Sequence, residues 1–185
     1  AVDDFGNIFE FFGTSFTTFE LTAGWYMSSL NRGLFADGGQ RQSLSLSSSI
    51  PGSDVEYFVL EYNFARYIPI WRRFIGLVRF RGAYGDSFGD TVGLPPFRQF
   101  FAGGPDTVRG YRESRLGPKD NFGNPYGGNL LVAARAEVII PMPQKWQSSA
   151  RLSLFYDVGN VFATNDDIQF YGRDGLTPVT YRFKY

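Results

Sequence analysis

Residues 130–140 read LLVAARAEVII: every even-numbered residue is apolar, and both charges, Arg135 and Glu137, fall on odd-numbered positions. Successive side chains of a β-strand point to opposite faces, so this period of two predicts a strand with one apolar face and one polar face. Outward from this stretch, the same period recurs along most of the chain, and no segment sustains a helical period. The chain is therefore predicted to be all-β.

Six strands are predicted, and their two faces differ sharply in charge. The strands are roughly Thr18–Met27, Ser43–Ile50, Tyr57–Ala65, Phe74–Tyr84, Leu130–Ile140 and Arg151–Gly159. Within these bounds the apolar face has no charged residue, whereas the polar face has eight, namely Glu20, Glu61, Arg79, Arg81, Arg135, Glu137, Arg151 and Asp157. The last residues alternate again, at Val179, Tyr181, Phe183 and Tyr185. This pattern predicts either the start of a seventh strand or an outer-membrane C-terminal signal.

Alternation fits both a soluble β-sandwich and a membrane β-barrel. Strands of about 8–11 residues match the ~9–11 that a tilted membrane strand requires. Aromatic residues gather at strand ends, as in an interfacial girdle, at Trp25, Tyr26, Tyr57, Phe58, Tyr67, Trp71 and Trp146. A spanning helix is not predicted, because the longest charge-free stretch, Asn121–Ala134, has 14 residues and a span needs ~18 or more. These features favour the membrane barrel, and the sandwich stays open as the alternative.

Composition excludes several function classes within this chain. It has 18 basic and 18 acidic residues, no His and no Cys. A neutral chain lacks the basic face of a nucleic-acid binder, and the missing residue types remove Ser–His catalysis, thiol nucleophiles and zinc sites. We expect no cofactor, no metal site and no nucleic-acid partner. The acidic pairs Asp86/Asp90 and Asp166/Asp167 lack a calcium-loop spacing and are interpreted as solvated.

The connections between strands point to one functional region. Pro51–Asp54 is a tight turn, and Tyr67–Arg73 and Pro141–Ser149 are short connections. Residues 85–128, in contrast, form a loop dense in Gly, Pro and charge, and loops of this length are usually functional or disordered. Six strands cannot close a barrel, and an open sheet edge cannot persist in hydrocarbon. Residues 1–185 are therefore predicted to be one partial β-barrel domain that lacks strands on both sides.

Motifs in and after the long loop resemble those of a known group of membrane barrels. Residues 101–111 read FAGGPDTVRGY, Gly127-Gly128-Asn129 opens the next strand, and residues 155–161 read FYDVGNV. These resemble signatures of the outer-membrane assembly and two-partner secretion barrel superfamily. Upstream, residues 30–38 (LNRGLFADG), 50–54 (IPGSD) and 84–86 (YGD) are similar to the BamA family, the central subunit of the β-barrel assembly machine.

The resemblance implies an antiparallel transmembrane barrel of sixteen strands. This chain would supply about strands eight to thirteen, without the family's periplasmic repeats, early strands and closing strands. The loop at about 85–128 would fold back into the lumen, Pro51–Asp54 would be extracellular, and the other connections periplasmic.

The resemblance also implies site residues. Val108, Arg109, Gly110 and Tyr111 would form a loop anchor, with Glu137 and Asp157 as lumen acceptors for Arg109. Arginine suits this role because its planar fork binds carboxylates bidentately. Gly110 would let the chain turn where a side chain would clash, and Val108 and Tyr111 would pack beside the fork. The glycines of the motifs are Gly103, Gly104, Gly127 and Gly128. From the residues alone, Arg109 remains open to being a solvated loop residue, and both acids to being ordinary lumen charges.

The implied function is that of a non-enzymatic insertase, integral to the bacterial outer membrane, which folds and inserts other β-barrel proteins. The expected partners are outer-membrane lipid, unfolded barrel clients and accessory assembly lipoproteins. Two alternatives remain: a translocation barrel of the same superfamily, and a passive porin.

Overall fold

A computed structural model describes residues 17–91, 93–119, 123–146, 149–164, 168–171 and 178–181. The described residues form eight β-strands and two single-turn 3-10 helices, Pro96–Arg98 and Gln144–Trp146. The strands are β1 (Glu20–Ser28), β2 (Gly39–Ser49), β3 (Tyr57–Trp71), β4 (Phe74–Ser87), β5 (Leu130–Ile140), β6 (Leu152–Phe162), β7 (Ile168–Tyr171) and β8 (Pro178–Tyr181). None of the helices in these ranges has the length and apolar character needed to cross a membrane.

The first six strands form one antiparallel sheet in sequence order. The β1–β2, β3–β4 and β5–β6 connections lie at one end, here called the turn end. The β2–β3 connection and the long β4–β5 loop lie at the other, the loop end. The all-β prediction and its six strands are confirmed, with β5 at the predicted bounds and the others shifted at one or both ends.

The predicted Tyr67–Arg73 connection is wrong, because β3 continues through Trp71 and only Arg72 and Arg73 make the turn. A proline inside a strand cannot donate to the ladder and normally indicates a strand end or a bulge. Here the pairing with β4 shifts register between Pro69 and Trp71, and this irregularity accommodates the proline near the turn.

The longer β3 also corrects the prediction that the apolar face carries no charge. Arg66 pairs with Val78 of β4, two positions beyond Phe64, and by alternation its side chain belongs to the apolar face. Its side chain is exposed.

Among the described residues of the alternating C-terminal pattern, none extends the main sheet. Val179 and Tyr181 lie in β8, which pairs with β7 in a separate two-stranded sheet. Phe183 and Tyr185, the other two residues of that pattern, lie outside the described residues.

The apolar face of the six-stranded sheet is exposed rather than sealed in a core. Leu46 near the middle of β2 is 45% exposed, and Leu154 of β6 is 70% exposed. Trp25, Trp71 and Trp146 are also exposed, as a girdle requires. Three members of the predicted girdle lie on the polar face by alternation, namely Tyr26, Tyr57 and Tyr67, and Tyr57 is buried.

The buried core lies on the polar face, between the sheet and the long loop. Strand residues such as Tyr57 and Leu131 pack there against Leu94 and Phe100 of the loop. A smaller cluster of Ala65, Leu77 and Ile139 lies nearer the turn end. The sheet therefore buries its polar face against its own chain and leaves its apolar face open.

We expect Leu46→Arg to be far more destabilising than Ser45→Arg, its neighbour on the polar face of β2. An arginine on a lipid-facing position near mid-membrane costs about 2–4 kcal/mol, whereas a lumen-facing position can hydrate it. Urea unfolding of the intact protein in phospholipid vesicles, followed by tryptophan fluorescence, measures both variants. Equal destabilisation would contradict the assignment of faces.

Candidate functional site

The long loop between β4 and β5 is an ordered body that packs on the polar face. Phe100 and Gly128 bond to each other in both directions, with N···O distances of 2.8 and 3.0 Å. The backbone N–H of Leu116 donates to the carbonyl of Ala102 at 3.0 Å. Since these bonds join its outgoing and returning segments, the loop holds a defined shape.

Arg109 fastens this loop to β6 through Asp157. Its Nε donates to Oδ2 at 2.7 Å and its Nη2 to Oδ1 at 2.6 Å, the two parallel bonds of a bidentate arginine–carboxylate pair. The backbone N–H of Arg109 also donates to Oδ2, at 3.0 Å. Side chain and main chain of the loop are thus held by one carboxylate.

Glu137 of β5 completes the ion cluster. Its Oε1 lies 2.7 Å from Nη1 of Arg109. The side chains of Arg109, Asp157 and Glu137 are 23%, 2% and 11% exposed. The structure therefore brings the predicted anchor and both predicted acceptors together, out of contact with most solvent.

Pairing between β5 and β6 explains why these groups meet. Arg135 lies opposite Asp157, and Glu137 lies opposite Phe155. Because all four residues alternate onto the polar face, they form a compact square of side chains. Arg109 enters above this square.

Phe155 is a contact that the sequence reasoning missed. The guanidinium carbon of Arg109 lies 3.7 Å from the centre of the Phe155 ring, well within cation–π distance. A signal was present, since Phe155 is an aromatic residue at a polar-face position, two residues before Asp157. The ring replaces solvent on one side of the guanidinium plane.

Arg135 is a second missed contact, and it holds the segment just before Arg109. Its Nε donates to the carbonyl of Thr107 at 2.7 Å and its Nη2 to that of Pro105 at 2.6 Å. Arg135 is also 4.0 Å from Asp157.

The pKa of Arg109 is raised above its ordinary value, mainly by the hydrogen bond that Arg109 donates to Asp157. The guanidinium of Arg109 therefore stays charged.

The neighbours of Arg109 in the motif do not all behave as expected. Val108 is buried, whereas Tyr111 is 58% exposed. The packing of these two side chains beside the fork stays a prediction. The reason given for Gly110 is wrong, because a Cβ there would meet nothing within 4 Å. Gly110 is favoured by its backbone, whose φ of 89° is costly for other residues.

The four motif glycines are buried. Gly103, Gly104 and Gly127 have positive φ angles. Gly128 is needed for close approach instead, since a Cβ there would lie 2.7 Å from Cγ1 of Val161 in β6. The glycines thus shape the loop and let it pack closely.

A second arginine, not predicted from the sequence, anchors the start of the loop. Arg98 forms an ion pair with Glu20 of β1, and its Nε lies 3.0 Å from the hydroxyl of Tyr57 in β3. That hydroxyl donates in turn to Glu20 at 2.8 Å. The ring of Phe97 packs edge-on against Tyr57. Charge alone gave no signal for Arg98, because its partners are distant in sequence.

No group of three or more metal-ligating side chains occurs among the described residues. Asp86 accepts a hydrogen bond from the Tyr84 hydroxyl at 3.0 Å. Asp166 and Asp167 lie outside the described residues.

Comparison with known proteins agrees with the fold and the motifs. Residues 10–177 match the Omp85 superfamily domain. The chain is 33% identical over 153 residues to the outer membrane protein assembly factor BamA of Neisseria meningitidis serogroup B, a match that covers 79% of this chain and 19% of the relative. It superposes on the crystal structure of Haemophilus ducreyi BamA lacking POTRA domains 1–3 with a TM-score of 0.76 and 30% identity, covering 86% of this chain and 35% of that one.

The chain thus spans about a fifth of the curated relative and about a third of the solved structure. The matched family consists of integral outer-membrane β-barrels, and the open six-stranded sheet is a partial barrel of that kind. The exposed apolar face is accordingly lipid-facing, and the soluble sandwich is excluded. By its motifs, its sheet and its match over most of its length, this chain belongs to the Omp85 superfamily.

Proposed function

We propose that the intact protein containing this chain folds and inserts β-barrel proteins into the outer membrane, without enzymatic chemistry. The curated relative carries the name of an assembly factor, and that name is the source of the proposed activity. The observation that carries the proposal here is Arg109, held between Asp157 and Glu137. It makes the loop a built part of the barrel.

A passive porin is the less favoured reading. A porin needs a lumen open to solutes, with charges free to line it. Here the loop covers the polar face near the loop end, and Leu131 beneath it is completely buried. The charges that would line a pore instead form ion pairs with each other, at Arg109, Glu137 and Asp157.

In the proposed mechanism, the loop is a strut that holds the shape of the barrel wall. Arg98 fixes its start to β1 and β3, and Arg109 fixes its middle to β5 and β6. Client strands would be templated by an exposed strand edge through β-augmentation. Accessory lipoproteins and unfolded barrel clients are the proposed partners, with this segment acting on the wall and not on the client.

The assembly activity is tested in proteoliposomes that contain the intact protein and receive a urea-denatured eight-stranded client barrel. The wild type should accelerate client folding, measured by the heat-sensitive gel shift of the folded barrel. Arg109→Gln should slow it, because two buried carboxylates lose their shared cation. Arg112→Gln is the matched control: it removes the same charge from an exposed loop side chain.

Two outcomes would contradict the proposal in different ways. No acceleration by the wild type would refute the assembly activity. Full acceleration by a correctly folded Arg109→Gln protein would refute the role of the loop and leave the activity standing.

A charge exchange tests the ion cluster itself. Arg109→Glu should lower the free energy of unfolding by about 3–5 kcal/mol, because it leaves like charges buried together. Adding Asp157→Arg or Glu137→Arg should restore part of that loss, measured by urea unfolding and by client folding. If neither double variant recovers anything, Arg109 is not held by these carboxylates.

The second anchor predicts energetic coupling between the loop and β1. Arg98→Gln and Glu20→Gln should each destabilise the barrel, and their double variant should cost less than the sum, with a coupling energy of about 0.5–3 kcal/mol. Arg112→Gln combined with Glu20→Gln provides the uncoupled control. Additive losses for Arg98 and Glu20 would remove the second anchor from the mechanism.

A further inference from the structure

Arg66 is a charged residue on the lipid-facing side of the sheet. It lies opposite Gln40 of β2 and Val78 of β4. Its side chain is exposed, and it makes no hydrogen bond, ion pair or ring contact with any residue in the described part of the chain. An unpaired ionisable group facing lipid is costly, so its partner has to come from outside the described part of the chain.

On the β2 side, the neighbours of Arg66 on this face are hydrogen-bonding groups without charge, whereas its β4 neighbour, Val78, is apolar. Gln40 is its direct cross-strand neighbour, and Gln42 lies one lipid-facing position further along β2. The carbonyl of the Gln42 amide accepts from the Tyr62 hydroxyl at 3.1 Å, which leaves its NH₂ available as a donor. We call Gln40, Gln42 and Arg66 the Arg66 patch. It offers a positive charge and amide donors, and it contains no acid.

The position of the patch relative to the membrane surface is set by the turn end. Arg72 lies 4.6 Å from the ring centre of Trp71, and Lys145 lies 5.1 Å from that of Trp146. Such pairs of tryptophan and cation are typical of the level of the lipid headgroups. Arg66 lies five residues from Trp71 along β3, which for a tilted strand is roughly 12 Å further toward the middle of the bilayer.

From this placement we propose that the Arg66 patch binds the phosphate of an anionic phospholipid in the leaflet at the turn end. The flexible stem of Arg66 lets its guanidinium extend toward the headgroups, while the lipid phosphate is drawn inward to meet it. The amides of Gln40 and Gln42 donate to the remaining phosphate oxygens. The inference depends on the outer-membrane location of the family and not on the assembly activity.

The lipid is chosen over an acidic protein surface because of depth and surroundings. The patch is flanked by Leu44 and Ile68, both exposed on the same face. A lipid acyl chain can pack against these two apolar side chains. The phosphate of the same lipid then supplies the anion that Arg66 binds. A soluble protein surface would have to enter the membrane to reach Arg66.

The test is a titration of phosphatidylglycerol into the intact protein in maltoside micelles, with bound lipids counted by native mass spectrometry. Arg66→Gln should weaken the apparent affinity about fivefold, in line with the contribution of one basic residue at a membrane surface. Arg66→Lys, which keeps the charge, should retain most of it. Arg73→Gln removes the same charge from the neighbouring turn and should stay close to the wild type.

The ligand chemistry is resolved by two further titrations of the wild type. Diacylglycerol, which has the chains but no phosphate, should bind far more weakly than phosphatidylglycerol. Glycerol phosphate, which has the phosphate but no chains, should not compete at the same concentration.

Several results would overturn the proposal. Equal retention of phosphatidylglycerol by the wild type and Arg66→Gln would do so, and would leave an acidic protein surface as the alternative occupant. An equal loss of affinity for phosphatidylglycerol in Arg73→Gln would indicate diffuse electrostatic attraction to the turn end and not a specific site at Arg66. Equal binding of diacylglycerol would reduce the contact to chain packing, and competition by glycerol phosphate would assign the patch to a free anion.

Discussion

The bond between Arg109 and Asp157 fixes where the loop sits, although it is not the largest source of its stability. Leu94, Phe100 and Ala102 bring the loop into the same apolar cluster as the sheet, and burying a large apolar side chain is worth about 1.5–3 kcal/mol. A buried ion pair returns little net energy once desolvation is counted. Apolar burial therefore keeps the loop on the sheet. The guanidinium of Arg109 can bind Asp157 in only one position of the loop, and this bond therefore fixes where the loop lies.

Apolar surface and charge are also separated across the whole sheet. On a soluble protein, a continuous exposed surface such as Leu44, Leu46, Leu154 and Val158 would be an aggregation hazard, and in a membrane it is the surface that lipid requires. The charges collect on the opposite face, where they pair with the loop and with each other: Arg81 with Glu61, Arg98 with Glu20, and Arg109 with Asp157. Lipid thus requires apolar residues on one face of each strand, and the packed loop requires polar and charged residues on the other. Together they favour an alternating sequence.

The sequence was sufficient wherever a property repeats locally. Alternation alone placed β5 correctly and put Glu137 and Asp157 on one face, and the resemblance named Arg109 as their partner. It was insufficient where the outcome depends on distant pairing. Pro69 suggested a strand end, but pairing with β4 carries β3 past it, and this moves Arg66 onto the lipid-facing side. Arg98 and Phe155 were missed because their partners become neighbours only after the sheet forms, and Gly110 was misread because backbone angles leave no trace in composition.

The two anchors also determine what kind of support the loop gives. Arg98 and Arg109 are eleven residues apart in the sequence, a length that reaches about 36–40 Å when extended. The strands they bind, β1 and β6 at the extremes, are separated by five strand spacings, or about 24 Å along the sheet. A segment with this much slack cannot work as a taut strap. It resists deformation because it is packed: its own backbone bonds close it, Arg135 holds the carbonyls of Pro105 and Thr107, and Val108 is buried. In the proposed mechanism the loop is therefore a packed wedge on the polar face, and a change in curvature of the wall would have to break an arginine anchor or open the apolar cluster beneath the loop.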